Sequence, residues 1–326
     1  MDPFVQRVRE IRIGGKYQLL RKLGSGSFGK VYLGRDVDSG AEVAIKLEHF
    51  SADPSLLDDE VPIYQELAGQ TGFPRIFWHG FVHDFKALVF ELLGPNLEDL
   101  IRYCGNHFSL KTTLMLTDQL LRRFEVLHSH RYLHRDVKPE NFLLGVGRQG
   151  NVVYMTDLGL ATYLRPRSPG SNKGKAHEHS TYEPHLLGTC RYASINGHLG
   201  AAQSPWDDLE ALGYMLVYFL KGKLPWQGLR GEGKYRRVLE MKQTIPVDEL
   251  CADLPPEFAS YMHHVRHPNE DDLPDYRYLR KLFSNLFHRE GFENDNVFDW
   301  TIREFIRLEA ESQPTSPMSG VVEERS

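Results

Sequence analysis

The stretch that decides the fold is His134-Arg135-Asp136-Val137-Lys138-Pro139-Glu140-Asn141, which reads HRDVKPEN. In this short polar run, a carboxylate, a lysine and an asparagine follow one another at close spacing. Asp136 can accept a hydrogen bond and orient a hydroxyl group, while Lys138 can meet negative charge close by. Asn141 offers a neutral amide oxygen to a hard cation such as Mg²⁺. A polar surface loop between two helices is the alternative, and only further motifs along the chain can decide between the two.

The composition is typical of a folded protein with a full hydrophobic core. The chain has 326 residues, 41% of them hydrophobic and 25% charged. This length gives room for about two domains, or for one enzyme with two lobes. Acidic residues outnumber basic ones, 44 to 39, and the formal net charge is −5. That charge argues against a protein that binds nucleic acid through its overall charge.

The spacing of the cysteines and the length of the apolar runs bear on where in the cell the protein is expected. Cys104, Cys190 and Cys251 are widely spaced and form neither a CxxC metal pair nor a disulfide framework, so reduced thiols are expected. Residues 1–15 lack the apolar core of a signal peptide. No apolar run approaches the roughly 18 residues that a membrane span needs. We therefore expect a cytoplasmic protein, with the nucleus as a second compartment, and no membrane anchor.

A glycine-rich turn between two predicted strands comes early in the chain. Glycines in such a turn let the backbone come within hydrogen-bonding distance of phosphates. The same GxGxxG pattern also opens dinucleotide-binding folds, but a helix follows it there. Here the β-branched and aromatic run that follows predicts the return strand of a hairpin, which favours a phosphate-binding β-turn. Its members are Gly24, Ser25, Gly26, Ser27, Phe28, Gly29 and Val31.

The next predicted strand, residues 42–46, carries Ala44 and ends at Lys46 in a VAIK pattern. Taken alone, Lys46 could be a solvated strand terminus. The glycine-rich turn just upstream instead favours contact between its ammonium group and the α- and β-phosphates of a nucleotide. Lys46 is therefore a candidate phosphate-binding residue.

A lysine in this position needs a carboxylate partner on the following helix. Residues 54–68 have helical character, and Glu60 shares a helical face with apolar residues, so we expect it to point inward. Pro62 costs about 3 kcal/mol inside a helix because it removes a hydrogen bond and clashes with the preceding turn. We therefore expect the helix either to start late, near Glu60, or to be kinked at Pro62.

The chain changes from strand-rich to helix-rich near residue 94. Residues 87–94 are an apolar strand that ends at a glycine. From Leu110 to His128, apolar residues recur at helical spacing, which predicts a long amphipathic helix that runs into the HRDVKPEN stretch. A short predicted strand, residues 152–156, then leads to Asp157-Leu158-Gly159.

In this order, the glycine-rich turn, the lysine strand, the HRDVKPEN loop and the Asp157-Leu158-Gly159 triplet resemble the motifs of eukaryotic protein kinases. Segments further along are similar to those of the casein kinase 1 family of serine/threonine kinases. They are ELLGPNLEDL (91–100), GTCRYASIN (188–196), HLG (198–200), DDLE (207–210), LPWQGL (224–229), PDY (274–276) and FDW (298–300). The resemblance extends over residues 15–305, nearly the whole chain.

The resemblance implies a bilobal α+β fold with a small antiparallel β-sheet lobe and a larger, mainly helical lobe. We expect an N-terminal extension (1–16), a smaller lobe (17–93), a larger lobe (94–309) and a short disordered tail (310–326). ATP and Mg²⁺ are implied as cofactors. The implied substrates are proteins with an acidic or phosphorylated residue upstream of the target serine or threonine. No nucleic-acid partner is implied, and a monomer is expected.

Catalytic roles follow from the same resemblance, residue by residue. Asp136 would orient the substrate hydroxyl, Lys138 and Lys46 would hold phosphates, and Glu60 would fix Lys46. The implied metal ligands are Asn141 and Asp157.

The nucleotide base would lie against the strand that crosses between the lobes. Phe90 would flank the adenine, and the backbone of residues 91–93 would supply hydrogen bonds to it. Besides the glycine-rich turn, the implied nucleotide-binding residues are Val31, Ala44, Lys46, Phe90, Glu91 and Leu93. Arg191 occupies the family's position for binding a phosphate upstream of the target, a ligand that suits a guanidinium group.

Three departures from the family pattern bear on activity. Leu158 stands where kinases have phenylalanine, so we expect altered packing with metal binding retained. The activation segment, residues 160–187, is long and basic in its centre; it is either a solvated mobile insertion or a contact for substrate phosphate through Lys173 or Lys175. The basic run after LPWQGL is shortened to residues 230–234, which predicts a weaker or re-tuned preference for phosphorylated substrates. Leu158, Pro62 and the long activation segment leave a catalytically weak kinase-fold scaffold as the main alternative, and a small-molecule kinase is a third.

Overall fold

The sheet of the smaller lobe forms where the sequence alternates short apolar strands with glycine turns. The computed structural model describes residues 11–26, 29–164, 188–267 and 273–312. Six antiparallel strands lie in the order β1-β2-β3-β4-β6-β5. Their bounds are β1 (Arg12–Ile13), β2 (Tyr17–Gly26), β3 (Gly29–Asp36), β4 (Glu42–His49), β5 (Ile76–Val82) and β6 (Phe85–Glu91). The chain after the glycine-rich turn is thus a strand, as predicted, and the dinucleotide-binding alternative is excluded.

The smaller lobe contains one described helix, α1 (Leu56–Glu66), and it begins at a carboxylate supplied by the sheet. Glu48 Oε1 accepts a hydrogen bond from the backbone N–H of Leu56 over 2.9 Å, which satisfies one of the free donors at the helix start. The helix then continues across Pro62 to Glu66. The expectation of a late start near Glu60 is therefore wrong. Pro62 lies in the second turn, where the loss of one backbone donor is tolerated within a helix that packs an apolar face.

The larger lobe is mainly helical, and the helix over residues 205–221 lies at its centre. Its helices are α2 (Leu97–Tyr103), α3 (Leu110–Ser129), α4 (Ile195–Leu199), α5 (Pro205–Lys221), α6 (Lys234–Thr244), α7 (Val247–Leu250), α8 (Pro256–Arg266), α9 (Tyr276–Arg289) and α10 (Asp299–Ser312). Helix α3 confirms the predicted amphipathic helix. Helix α5 begins with a capping box between Ser204 and Asp207 and is buried along almost its whole length. Helix α10 extends to Ser312, beyond the expected end of the lobe at residue 309.

The larger lobe also contains two short antiparallel β-ladders, which lie next to the HRDVKPEN loop and the Asp157-Leu158-Gly159 triplet in the sequence. Strand β8 (Phe142–Leu144) pairs with β9 (Val153–Met155), and β7 (Tyr132–Leu133) pairs with β10 (Thr162–Tyr163). The main core is continuous from α1 of the smaller lobe through α3, α5 and α9. A second core lies on the sheet, around Tyr32, Ile45 and Val89. None of the described helices is both long and apolar enough to cross a membrane.

Candidate active site

The glycine-rich turn forms the roof of a cleft between the lobes. Strands β2 and β3 meet at the turn, where Gly26 faces Gly29 in the ladder. Gly29 has a φ of +141°, and a Cβ atom there would lie 2.9 Å from the carbonyl oxygen of Leu47. Only glycine fits such a position without strain. Ser27 and Phe28 of the predicted set lie outside the described residues.

Lys46 is buried under this turn and holds two carboxylates. Its Nζ donates to Glu60 Oε2 over 2.6 Å and to Asp157 Oδ1 over 2.9 Å. Burial alone would lower the pKa of Lys46, but the charges of Glu60 and Asp157 outweigh it and raise that pKa above its ordinary value. The pKa of Asp157, which burial alone would raise, is lowered by Lys46. The lysine strand, the helix and the triplet are thus brought together as the sequence predicted.

Tyr64 completes this arrangement and was not predicted to take part. It lies one turn after Glu60 on α1, and its hydroxyl accepts a hydrogen bond from the backbone N–H of Asp157 over 3.1 Å. Glu60 Oε1 likewise accepts from the backbone N–H of Leu158 over 3.2 Å. Helix α1 therefore holds the triplet in two ways: its side chains accept hydrogen bonds from the triplet's backbone, and Glu60 pairs with Lys46, which contacts Asp157. The i, i+4 spacing of Glu60 and Tyr64 was the available sequence signal.

The HRDVKPEN loop is held in place by one buried carboxylate of α5. Asp208 Oδ2 accepts a hydrogen bond from the backbone N–H of His134 over 2.7 Å, and its Oδ1 accepts from that of Arg135 over 2.9 Å. His128 Nε2 lies 2.8 Å from Asp208 Oδ2. Asp208 therefore has a structural role, because it holds the backbone at the start of this loop. Arg135 has a φ of +64°, a left-handed conformation that these hydrogen bonds stabilise.

Asp136 is buried within this loop, and three side chains contact its carboxylate. Lys138 Nζ pairs with Oδ2, and Asn141 Nδ2 lies 3.3 Å from that same oxygen. The Thr189 hydroxyl donates to Oδ1 over 2.8 Å. Asp136, Lys138 and Asn141 were predicted as neighbours. Thr189 was not, because it arrives from the far end of the activation segment.

Asn141 and Asp157 lie at the two ends of the β8–β9 hairpin. The Asn141 amide donates its Nδ2 hydrogen to the backbone oxygen of Asp136 over 2.8 Å, which leaves the amide oxygen as an acceptor. Thr156 donates its backbone N–H to the carbonyl oxygen of Asn141 over 2.9 Å and so places Asp157 beside it. The described residues contain no cluster of three or more His, Cys, Asp or Glu side chains fit to hold a metal. One carboxylate and one amide suit Mg²⁺, which takes its other ligands from water and substrate phosphates.

The cleft between the lobes has a volume of about 630 Å³, the size of a small-molecule site. It is lined by most of the residues predicted to bind nucleotide, and by Leu23, Asn96, Asp99 and Leu143, which were not predicted. Glu91 is not part of the lining: its backbone N–H donates to Arg75 and its side chain lies 3.4 Å from the Tyr154 hydroxyl. The predicted residues that line the cleft are Gly24, Gly29, Val31, Ala44, Lys46, Glu60, Phe90, Leu93, Lys138, Asn141 and Asp157.

Arg191 lies two residues after Thr189 and is half-buried between aromatic rings. Its guanidinium carbon is 5.6 Å from the ring centres of both Tyr192 and Tyr218. Its backbone oxygen accepts a hydrogen bond from Trp226 of the LPWQGL segment over 2.8 Å. Lys173 and Lys175 lie outside the described residues, so no structure accompanies that part of the expectation.

A family model of the protein kinase domain matches residues 17–290. The match spans most of the chain, the sheet and helices follow the order of a kinase, and the cleft holds the charged residues that phosphoryl transfer requires. The chain belongs to the protein kinase family. It is therefore a phosphotransferase with the bilobal fold that the sequence indicated, acting on protein substrates.

Proposed function

We propose that this protein is a serine/threonine kinase of the casein kinase 1 type. It would transfer the γ-phosphate of ATP to serine or threonine in proteins with an acidic or phosphorylated residue upstream. The observation that carries the proposal is that Lys46 and Asp157 form an ion pair in the cleft, while Lys138 and Asn141, which also line the cleft, both contact the carboxylate of Asp136. A kinase-fold scaffold has no physical need for all of these side chains.

The side chains divide the work of the transfer between them. Lys46, kept charged by Glu60 and Asp157, would hold the α- and β-phosphates of ATP. Asp136 would orient the attacking hydroxyl and accept its proton as the new oxygen–phosphorus bond forms and the bond to ADP breaks. Lys138 would meet the charge on the transferred group.

Asn141 and Asp157 would hold Mg²⁺, which would neutralise phosphate charge. Both offer oxygen ligands, and the hairpin keeps them adjacent. This pairing of one amide with one carboxylate is the set used where phosphates complete the coordination of the cation.

Arg191 supports the proposed preference for acidic or phosphorylated substrates. It lies two residues after Thr189, which contacts Asp136, so a substrate held at Asp136 would have its neighbouring residues near this guanidinium. The tyrosine rings on which it rests would keep it in place without neutralising it. The shortened basic run at 230–234 predicts that the preference is weaker than is usual for the family.

The test is phosphate incorporation from ATP and Mg²⁺ into three peptides: one with phosphoserine three residues before the target serine, one with alanine there, and one with tyrosine as the target. Asp136→Asn serves as the blank. We expect turnover of the serine peptides, moderate preference for the phosphorylated one, and loss of that preference in Arg191→Gln. Turnover of the tyrosine peptide alone would refute serine/threonine specificity. ATP binding with no turnover above the blank would show a scaffold.

A further inference from the structure

A second concave surface, away from the catalytic cleft, lies between α3, α9 and the turn of the β8–β9 hairpin. Its volume is about 1050 Å³, larger than that of the nucleotide cleft. We call it the α3–α9 groove. None of the residues to which we assign a role in ATP binding or catalysis lines it.

The floor of the α3–α9 groove is aromatic. Phe283 is almost fully buried, and Phe287 and Phe292 are half-buried at its surface. The rings of Phe287 and Phe292 meet edge to face, with centres 5.6 Å apart. Half-buried aromatic rings within a concave surface are the usual anchor points for a large apolar side chain of a partner.

The rim of the groove is basic, although the chain as a whole is acidic. Arg148 of the hairpin turn and Arg277 and Lys281 of α9 are exposed and line it. No ion pair joins any of the three to another of the described residues. By contrast, Arg280 pairs with Asp118 over 3.0 Å inside the groove. Within the described part of the chain, the rim therefore carries three basic side chains without an ion pair, against one exposed acidic residue, Glu293, in the lining. In a protein of net charge −5, this excess of positive charge favours an acidic ligand.

The walls of the groove fix the size of that ligand. From Arg277 to His288 the rim follows α9, a span of about 16 Å at a helical rise of about 1.5 Å per residue. This span matches about three turns of a helical peptide, at a pitch of about 5.4 Å. Two helices and a hairpin turn form most of the walls, and residues 292–296, which follow α9 without helical structure, complete them. A short segment that binds to walls already in place loses less free energy to ordering.

We propose that the α3–α9 groove is a docking site for an acidic segment of a partner protein that carries two large apolar side chains. The apolar side chains would enter the floor at Phe287 and Phe292, and the carboxylates would meet Arg148 and Lys281. A concave aromatic floor fits a peptide better than a membrane surface, because a bilayer cannot enter a groove. This proposal goes beyond the proposed function. It is tested by peptide binding, so a negative result there is distinct from an absence of kinase activity.

The experiment uses the full chain and a fluorescein-labelled peptide of glutamates with a phenylalanine and a leucine four positions apart. We expect binding by anisotropy that weakens at high salt and at least tenfold when the two apolar residues of the peptide become alanine. The double variant Arg148→Glu, Lys281→Glu should weaken binding at least tenfold. Arg35→Glu with Arg236→Glu, an equal charge reversal at exposed positions outside the groove, should leave it unchanged.

A charge swap separates docking from a general effect on folding. The double variant should bind a lysine version of the peptide better than the unaltered chain does, which a damaged fold would not. Its turnover of a short substrate peptide should be unaltered, because the groove lies outside the catalytic machinery.

Three outcomes would overturn the proposal. The first is equal binding of the acidic peptide by both double variants. The second is no peptide binding together with groove-dependent binding to vesicles of equal parts phosphatidylcholine and phosphatidylserine, which would assign the groove to lipid. The third is no peptide binding together with a groove-dependent dimer in sedimentation, which would assign it to a second copy of the chain.

Discussion

The hydroxyl of Thr189 donates a hydrogen bond to Asp136 Oδ1 over 2.8 Å, joining the segment that follows residue 187 to the carboxylate that we propose orients the substrate. With Lys138 on the other carboxylate oxygen, this contact fixes the plane of the group that would orient the substrate. The two residues are far apart in the sequence, so the catalytic geometry is complete only when the segment around residue 189 is in place.

Replacing Thr189 by valine, which has the same shape without the donor, should lower kcat. A hydrogen bond to a charged group contributes about 1.5–3 kcal/mol, so we expect a fall of about 10- to 100-fold. The KM for ATP should change little. Steady-state kinetics check this, with Thr189→Ser as the variant that keeps the hydroxyl. Equal kcat values in the valine and serine variants would contradict the assigned contact.

Glu60→Gln should impair nucleotide use, because Lys46 would lose one of the two charges that hold it. We expect kcat/KM for ATP to fall at least about tenfold, equivalent to about 1.4 kcal/mol. Asp58→Asn is the matched control: Asp58 lies on the same helix but is exposed and pairs with Lys86 instead. A similar loss in both variants would show that helix charge, and not the Lys46 contact, matters.

Leu158 replaces the usual aromatic of its motif, yet it is fully buried between α1 and the larger lobe. Leu158→Ala should lower the free energy of unfolding by about 2–5 kcal/mol through lost contacts and a cavity. Leu158→Phe should also destabilise, by about 1–3 kcal/mol, since the site is filled. Urea unfolding measures both. Leu308→Ala, at a site 52% exposed, should have almost no effect.

Lys242 should make the free energy of unfolding depend on pH. It is fully buried beneath residues 190–193, and its Nζ donates to the carbonyl oxygens of Cys190 and Ala193 over 3.1 and 2.6 Å. Burial lowers the pKa of Lys242 to about 7, whereas an unfolded lysine keeps a pKa of 10.5. Between these values the unfolded chain binds more protons, so stability should rise with pH from about 7 towards 10.5.

The check is the free energy of unfolding of the unaltered protein and of Lys242→Met across this pH range. The difference between them should rise with pH by at most about 1.4 kcal/mol per pH unit, the limit for one proton. An equal slope in both proteins would mean that another group is responsible.

Much of the fold was predictable because its signals are local. The alternation of apolar residues, the glycine-rich turn and the helical spacing from Leu110 to His128 each act within one element. The pairing of Lys46 with Glu60 was predicted from the order of motifs, whereas the ion pair of Lys46 with Asp157 was not. Glu60 was correctly turned inward from its helical face.

The rest depends on contacts that no local pattern records. Thr189 and Asp136 are 53 positions apart, and Tyr64 and Asp157 are 93 apart. The spacing of Tyr64 from Glu60 places both side chains on one helical face, but it does not show that the backbone N–H of Asp157 will reach the Tyr64 hydroxyl. The start of α1 was wrongly predicted from Pro62, because helix propensity does not include the carboxylate of Glu48, which accepts a hydrogen bond from the first turn.

The β8–β9 hairpin, with Asn141 before it and Asp157 after it, distinguishes contacts within one lobe from contacts between the two lobes. Both residues belong to the larger lobe, where the hairpin ladder and Thr156 keep them adjacent. Lys46, Glu60 and Tyr64 belong to the other lobe and reach residues 157 and 158 from across the cleft. In the proposed enzyme, an opening of the lobes that releases ADP would stretch these contacts and leave Asn141 and Asp157 side by side. Each catalytic cycle would then remake the contacts between the lobes, while the proposed cation ligands keep the arrangement that folding gave them.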